Sequence, residues 1–192
     1  MPDPSGTNTQ TGVSGSAGGD LSGSFPNPTV MKVGGTTMGP AAIALVGQLP
    51  ATATSDLATA GNIGEYLSTS VLVGSAINLS SGVATNVVSM PVSAGDWDVW
   101  GSVVFNVGGA TIVTLLDGGV GFTTGTLPGL SSGGQGEIGL GGGLTGIADT
   151  SVFAGIQRMS NAAVATAFLV ASATFSVSTA KAYGVLQARR MR

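Results

Sequence analysis

Between Trp97 and Val107 the sequence follows a two-residue alternation over eleven residues. Trp97, Val99, Gly101, Val103, Phe105 and Val107 fall on one side, and Asp98, Ser102 and Asn106 point the other way. Successive side chains take opposite sides only along a β-strand, so this run predicts a half-buried strand with one face toward a core. Weaker versions recur from Ile63 onward: Tyr66, Val71 and Val73, then Ala84 to Met90, and the β-branched run Ala110 to Leu116. Val120 and Phe122, Ser151 to Ile156, Ala167 to Val177 and Ala182 to Leu186 complete the series. Within Ala167–Val177, one face collects Leu169, Ala171, Ala173, Phe175 and Val177. About eight to ten short strands with turn signals about every ten residues predict an all-β sandwich or jelly roll, not βαβ units. Asp117-Gly118-Gly119 predicts a hairpin turn, because such turns need positive φ. The glycine-dense stretch Leu127 to Gly143 predicts a loop or a weakly paired edge, and its glycine-rich composition makes it the candidate distal tip.

Charge sharpens the picture. Six basic and nine acidic residues in 192 amount to 8% of the chain, against about 25% in an ordinary globular protein. Serine and threonine, 21 of each, are the main polar component, and glycine supplies 33 residues. With 43% apolar residues and a net charge of −3, disorder through charge repulsion is excluded. A mean hydropathy of +0.44 leaves apolar surface to be covered, which points to a homo-oligomer. A pI of about 4.5 argues against nucleic acid as a partner. There is no cysteine and no histidine, so disulfides, thiolate metal sites and the commonest general base are absent. No cofactor, metal or catalytic set is expected. Met1-Pro2-Asp3-Pro4 lacks the basic and apolar regions of a secretory signal. The uncharged stretches Val99–Leu116 and Met159–Ala180 alternate and carry many hydroxyl and β-branched residues, so no membrane insertion is expected.

Residues 1–62 read differently from the rest. Phe25 is their one aromatic residue, and Thr7 to Gly23 is almost wholly small and polar. Pro26-Asn27-Pro28, Gly34-Gly35 and Gly39-Pro40 then punctuate the chain. Such a stretch buries too little to fold alone and predicts an extended arm ordered by its partners. Short helical turns over Ala41–Leu49 and Thr54–Ala60 are the local alternatives to coil. The division expected is therefore an arm, 1–62, and a β knob, 63–192.

Several motif matches lack their context. Gly129-Leu130-Ser131-Ser132-Gly133 fits a nucleophile elbow, but no histidine exists to take the serine proton. Gly134-Gln135-Gly136-Glu137-Ile138-Gly139 fits a dinucleotide loop, yet Leu140-Gly141-Gly142-Gly143 cannot begin a helix. Ser178 and Lys181 align only on a helix, in a β neighbourhood. Asp96-Trp97-Asp98 sets two carboxylates on one strand face, better read as solvated than as a cation site. Trp97 and Trp100 face opposite ways; one is core, and the other packs at an interface or stacks on a sugar. Charge is uneven, with two basic and nine acidic residues before position 181 and Lys181, Arg189, Arg190 and Arg192 after it. That basic end predicts pairing with acids of its own or a neighbouring subunit.

Two sets of residues resemble a known family. Gly18-Gly19-Asp20-Leu21-Ser22-Gly23-Ser24-Phe25-Pro26-Asn27-Pro28-Thr29-Val30 resembles a motif near the N-termini of bacteriophage and prophage fibre and collar proteins. Gly64-Glu65-Tyr66-Leu67-Ser68, Ala94 to Val99 and the ending Ala182 to Arg192 resemble a C-terminal knob of phage virion fibres. The resemblance implies a structural virion protein, assembled in the host cytoplasm, that is not an enzyme. Its knob would be a homotrimeric jelly roll similar to tumour-necrosis-factor-like knobs. Asp20, Leu21, Phe25, Pro26, Asn27 and Pro28 would belong to the virion-attachment arm, docking on capsid, collar or tail proteins. The knob would contact a host surface glycan, through residues the sequence does not assign. The absence of a long stalk keeps open the alternative of a head fibre or decoration protein.

Overall fold

A computed structural model describes residues 15–33, 35–37, 57–147 and 149–192. The chain divides into two units, Met1–Asp56 and Leu57–Arg192. The helical turn expected over Ala41–Leu49 lies outside the described residues, as do positions 54–56 of the second; residues 57–60 carry no helix.

The described part of the first unit is built from two very short hairpins. β1 (Leu21–Ser22) pairs antiparallel with β2 (Thr29–Val30), and β3 (Lys32–Val33) pairs with β4 (Thr36–Thr37). Phe25 N–H donates to the Gly15 carbonyl at 3.1 Å and Ala17 N–H to Gly23 at 2.9 Å, so the segment preceding β1 closes back on the hairpin loop.

The second unit contains β5 (Tyr66–Val71), β6 (Ile77–Asn78), β7 (Thr85–Val92), β8 (Gly95–Val107), β9 (Ile112–Gly121), β10 (Gln135–Thr145), β11 (Thr150–Asn161), β12 (Ala165–Ser176) and β13 (Ala180–Arg190). One sheet runs β10-β9-β12-β7 and the other β11-β8-β13-β5, with β6 extending the β13 ladder. Every pairing is antiparallel. Apart from the step from β9 to β10, consecutive long strands lie in opposite sheets. This is the jelly-roll winding, as the strand pattern predicts.

The core lies between the two sheets. The odd positions of β8 point into it, with Trp97, Val99 and Val103 fully buried and Phe105 at 1% exposure. Leu116, Val120, Leu169 and Leu186 meet them from the other strands. Each large side chain removed from water stabilises the fold by about 1.5–3 kcal/mol. The register sets the two ends of the sandwich. Trp97 lies opposite Arg190, and Tyr66 opposite Arg189. The start of β5, the β7–β8 turn and the end of β13 therefore gather at one end, and Val107 opposite Ala180 marks the other.

One expectation changes. Asp117-Gly118-Gly119 is not a hairpin turn; it lies inside β9, a continuous strand between β10 and β12. Small side chains serve close packing there. A Cβ on Gly118 would stand 3.2–3.3 Å from Val103 and Val152 of the facing sheet. A Cβ on Gly119 would come within 2.8 Å of Leu127 and 2.9 Å of Pro128 on the opposite side. The stretch Leu127–Gly143 is the loop and weakly paired edge that its glycines predict. From Gln135 it forms the edge strand β10, with a register shift between Gly139 and Leu144. The residues before it fold back over the four-stranded sheet: Val120 N–H donates to Gly134 O at 2.8 Å. Asn86 of β7 holds Thr124 at 2.6 Å and the Gly125 N–H at 2.7 Å.

Replacing Gly118 by valine forces branched methyls between the sheets. The substitution is expected to lower the stability of this unit by about 1–3 kcal/mol in urea unfolding.

Candidate functional site

The alternation along β13 sends Arg189 outward, opposite Asp98, and Arg190 inward, opposite Trp97. Arg190 is 6% exposed. A buried guanidinium is tolerable only when its donors are satisfied. Here Nε reaches Glu65 Oε2 at 2.9 Å, Nη1 reaches the Ala94 carbonyl at 2.8 Å, and Nη2 bonds Ser93 Oγ. Its carbon plane stands 4.4 Å from the Trp97 ring, a cation–π contact. The main chain adds Arg190 N–H to Glu65 O at 2.9 Å and Gly64 N–H to Arg190 O at 3.0 Å. Glu65 also accepts the Gly61 N–H at 2.7 Å. That hydrogen bond, followed by the Arg190 pairing, holds its carboxyl below the usual range against the opposing effect of burial.

Asp96 is gripped beside this cluster. Arg158 meets it with two parallel bonds of 2.7 Å, and Arg192 Nε stands 3.0 Å from Oδ2. Arg158 is the main reason its carboxyl titrates low. The basic end of the sequence thus finds acids of its own chain, as the charge distribution predicts. Asp96 is occupied by guanidinium groups, and among the described residues no group of three or more acidic or metal-ligating side chains gathers.

A different acid pair sits on β9 and β10. Asp117 lies opposite Glu137 and, on its other side, opposite Ser172 of β12. Gln135 bridges it to the covering loop, donating to Asp117 at 3.3 Å and accepting the Gly129 N–H at 2.9 Å. Burial, then the charge of Glu137, pushes the Asp117 carboxyl up. The discarded motifs stay without context. Gly134–Gly139 leads into strand, not helix, and Ser131, the serine at the elbow position, lies in a single 3-10 turn, Leu130–Ser132.

In the first unit the six expected attachment residues fall around one hairpin. Asp20 precedes β1; its carbonyl accepts the N–H groups of Met31 and Lys32, and its Oδ1 accepts Gly35 N–H at 3.0 Å. Leu21 pairs with Val30. Phe25 and Pro28 are half-buried, Pro26 and Asn27 are exposed, and the Phe25–Pro26 peptide is cis. The motif's residues are therefore brought together locally, with the carboxylate of Asp20 joining the two small hairpins.

Of the outer face of the β11-β8-β13-β5 sheet, sequence reasoning picked out the tryptophan opposite in facing to the core one, which is Trp100. This face carries two shallow hollows. One, of about 410 Å³, is lined by Asp98, Trp100, Phe153, Ile156, Arg189 and Met191. The other, of about 240 Å³, lies among Leu72, Val104, Tyr183 and Val185 with Ser70 and Ser102. The rings of Tyr66 and Trp100 are 6.2 Å apart at 43°. The available signal was Trp100 and Val104 among the even positions of β8, where a wet face would carry polar residues only.

No family model matches the chain, and no curated protein matches it. Among solved structures, a chain of "Structure of infectious bursal disease virus Gx strain" aligns over 74% of this chain at 14% identity and a TM-score of 0.39. The alignment covers 38% of that chain. Similarity of this degree carries no functional assignment.

Arg190→Ala leaves Glu65 buried without its partner and is expected to cost about 3–5 kcal/mol in chemical unfolding. Acid affects the carboxylates in two directions. Glu65 and Asp96 titrate lower folded than unfolded, so their stabilisation is complete above the ordinary carboxylate range and is lost as pH falls through their lowered values. Asp117 titrates higher when folded, so its contribution favours the fold at low pH and is lost as pH rises. Asp117→Asn keeps the acceptor for Gln135 and removes the charge. Its melting temperature is expected to equal or exceed that of the unmodified protein at pH 7, with any gain shrinking towards pH 4.

Proposed function

We propose that this chain is a structural virion protein of a bacteriophage, a short trimeric fibre or spike. Its N-terminal arm holds it to the particle, and its C-terminal knob contacts the host surface. The observation that carries the reading is the joining of two dissimilar units. A small hairpin unit bears Gly-Asp-Leu-Ser-Gly-Ser-Phe-Pro-Asn-Pro at positions 19–28, and a jelly roll comes after it in the chain. The resemblance of that motif to phage fibre and collar proteins supports particle attachment through Asp20, Leu21, Phe25, Pro26, Asn27 and Pro28. The reading assigns no catalysis and no cofactor. The ionised clusters at Arg190 and Asp96 tie strands together, and the paired acids stand among glycine, serine and glutamine. A host surface glycan is the ligand class that uncharged serine- and threonine-rich surfaces suit.

A second reading is a capsid-mounted head fibre or decoration protein with a mainly structural role. It is favoured by the short interval between the hairpin unit and the knob, which holds no long stalk.

Light scattering on the purified protein, beside an unheated SDS gel, is expected to give about three times the chain mass of 18.6 kDa, with resistance to SDS until heating. A folded monomer overturns the trimeric fibre. Labelling intact particles with an antibody against residues 66–192 then separates tail from head attachment, and absence of label from particles overturns both readings.

A further inference from the structure

We propose that the outer face of the β11-β8-β13-β5 sheet is where a second copy of this chain docks, with Asp98 of one copy paired to Arg189 of the next. The proposal rests on the trimeric reading and adds to it the surface and the contact.

The two outer faces of the sandwich differ. That of the four-stranded sheet carries Asp117 and Ser172 and is roofed by the chain's own loop, which crosses from β9 to Asn86 on β7. The opposite face has no such roof among the described residues, and it is the more apolar. Leu72 is 72% exposed, Phe153 and Ile156 are 56% exposed, and Met191 is 48% exposed. Trp100, Val104 and Val185 lie between them, each half-buried. An apolar area of this kind on a chain so poor in charge is the mark of a contact surface. Its size suits one. Four strands about 4.8 Å apart and about eleven residues long span roughly 700 Å² before side-chain relief. A stable interface takes about 800 Å² per partner.

The charges on its rim favour a second copy over other occupants. At this end of the sandwich Glu65 pairs with Arg190, and Asp96 pairs with Arg158 and Arg192. Asp98 and Arg189 are the exceptions. They are direct cross-strand neighbours bordering the larger hollow, and Asp98 also lies opposite Arg158, whose charge it feels, yet neither Asp98 nor Arg189 makes an ion pair among the described residues. A partner that satisfies both must offer both signs at one spacing. In a closed ring, the same two residues meet at every interface, so a second copy supplies them without further design. A neutral saccharide offers neither charge to the pair.

Charge reversal tests this on the full-length protein. Asp98→Arg and Arg189→Asp each set like charges face to face, and each is expected to weaken assembly at least tenfold by light scattering over a dilution series. The double variant Asp98→Arg/Arg189→Asp is expected to recover the native mass. Far-UV circular dichroism verifies that each single variant is folded. A second measurement avoids charge altogether: because the chain has no cysteine, co-expressed Asp98→Cys and Arg189→Cys chains are expected to join as disulfide-linked dimers on a non-reducing gel. A protein that stays trimeric in both single variants and forms no cross-link overturns the assignment of this face while leaving the trimer intact. An unmodified protein that is monomeric overturns both.

Discussion

Arg190 ties together parts of the knob that the β-ladder alone would leave loose. A guanidinium this far from water is costly, and the cost is offset only because four different groups surround it: a carboxylate, a carbonyl, a hydroxyl and an indole face. Those groups belong to the segment leading into β5, to the β7–β8 turn and to the core strand β8. Satisfying them together sets where β13 ends against β8 and where β5 begins against β13. Since β13 lies between those two strands, the same register decides which of its side chains face the core and which face out. Arg189 is an outward residue because its neighbour is an inward one.

From that register comes the contrast between the two sides of the sandwich. One sheet has its outer side closed by a loop whose packing needs Gly119 bare. The other displays aromatic and aliphatic side chains interspersed with serines. The chain has too few ionisable groups to solvate itself by charge, and most of those at the Arg190 end are spent on holding strands to one another. Association is the remaining way to remove that apolar surface from water, and it agrees with the reading of the chain as an assembled virion component. The arm motif addresses a different matter. It draws its residues into one hairpin in which Asp20 accepts the backbone N–H groups of Met31, Lys32 and Gly35, a local fold that needs few apolar contacts.

Much of the knob was legible in its residues. The alternation of Trp97–Val107 shows through because one face of β8 packs against a core and the other does not, and that difference is written at every second position. The basic residues near position 190 were readable as partners for acids, since charge balance alone requires it. Gly118 and Gly119 were misleading for a definite reason. Glycine beside aspartate signals a turn by permitting positive φ, but the same missing side chain permits close approach between sheets, and local sequence does not distinguish the two. The loop before β10 was similarly opaque: its fold-back depends on Asn86, far away in the chain.

The sequence by itself determined that this is a β-rich chain without histidine or cysteine, poor in charge, with a first part of small polar residues distinct from the strand-rich remainder. These are properties of composition and of period-two spacing, which neighbours along the chain express directly. The tertiary structure alone decided which acid each arginine meets, which sheet is roofed, and that Asp98 and Arg189 stand side by side without an ion pair. Each of those depends on contacts between segments distant in the chain, in the ladders of β8 with β13 and with β11 and between Asn86 and the loop after β9, and such register is settled by packing in three dimensions rather than by local pattern.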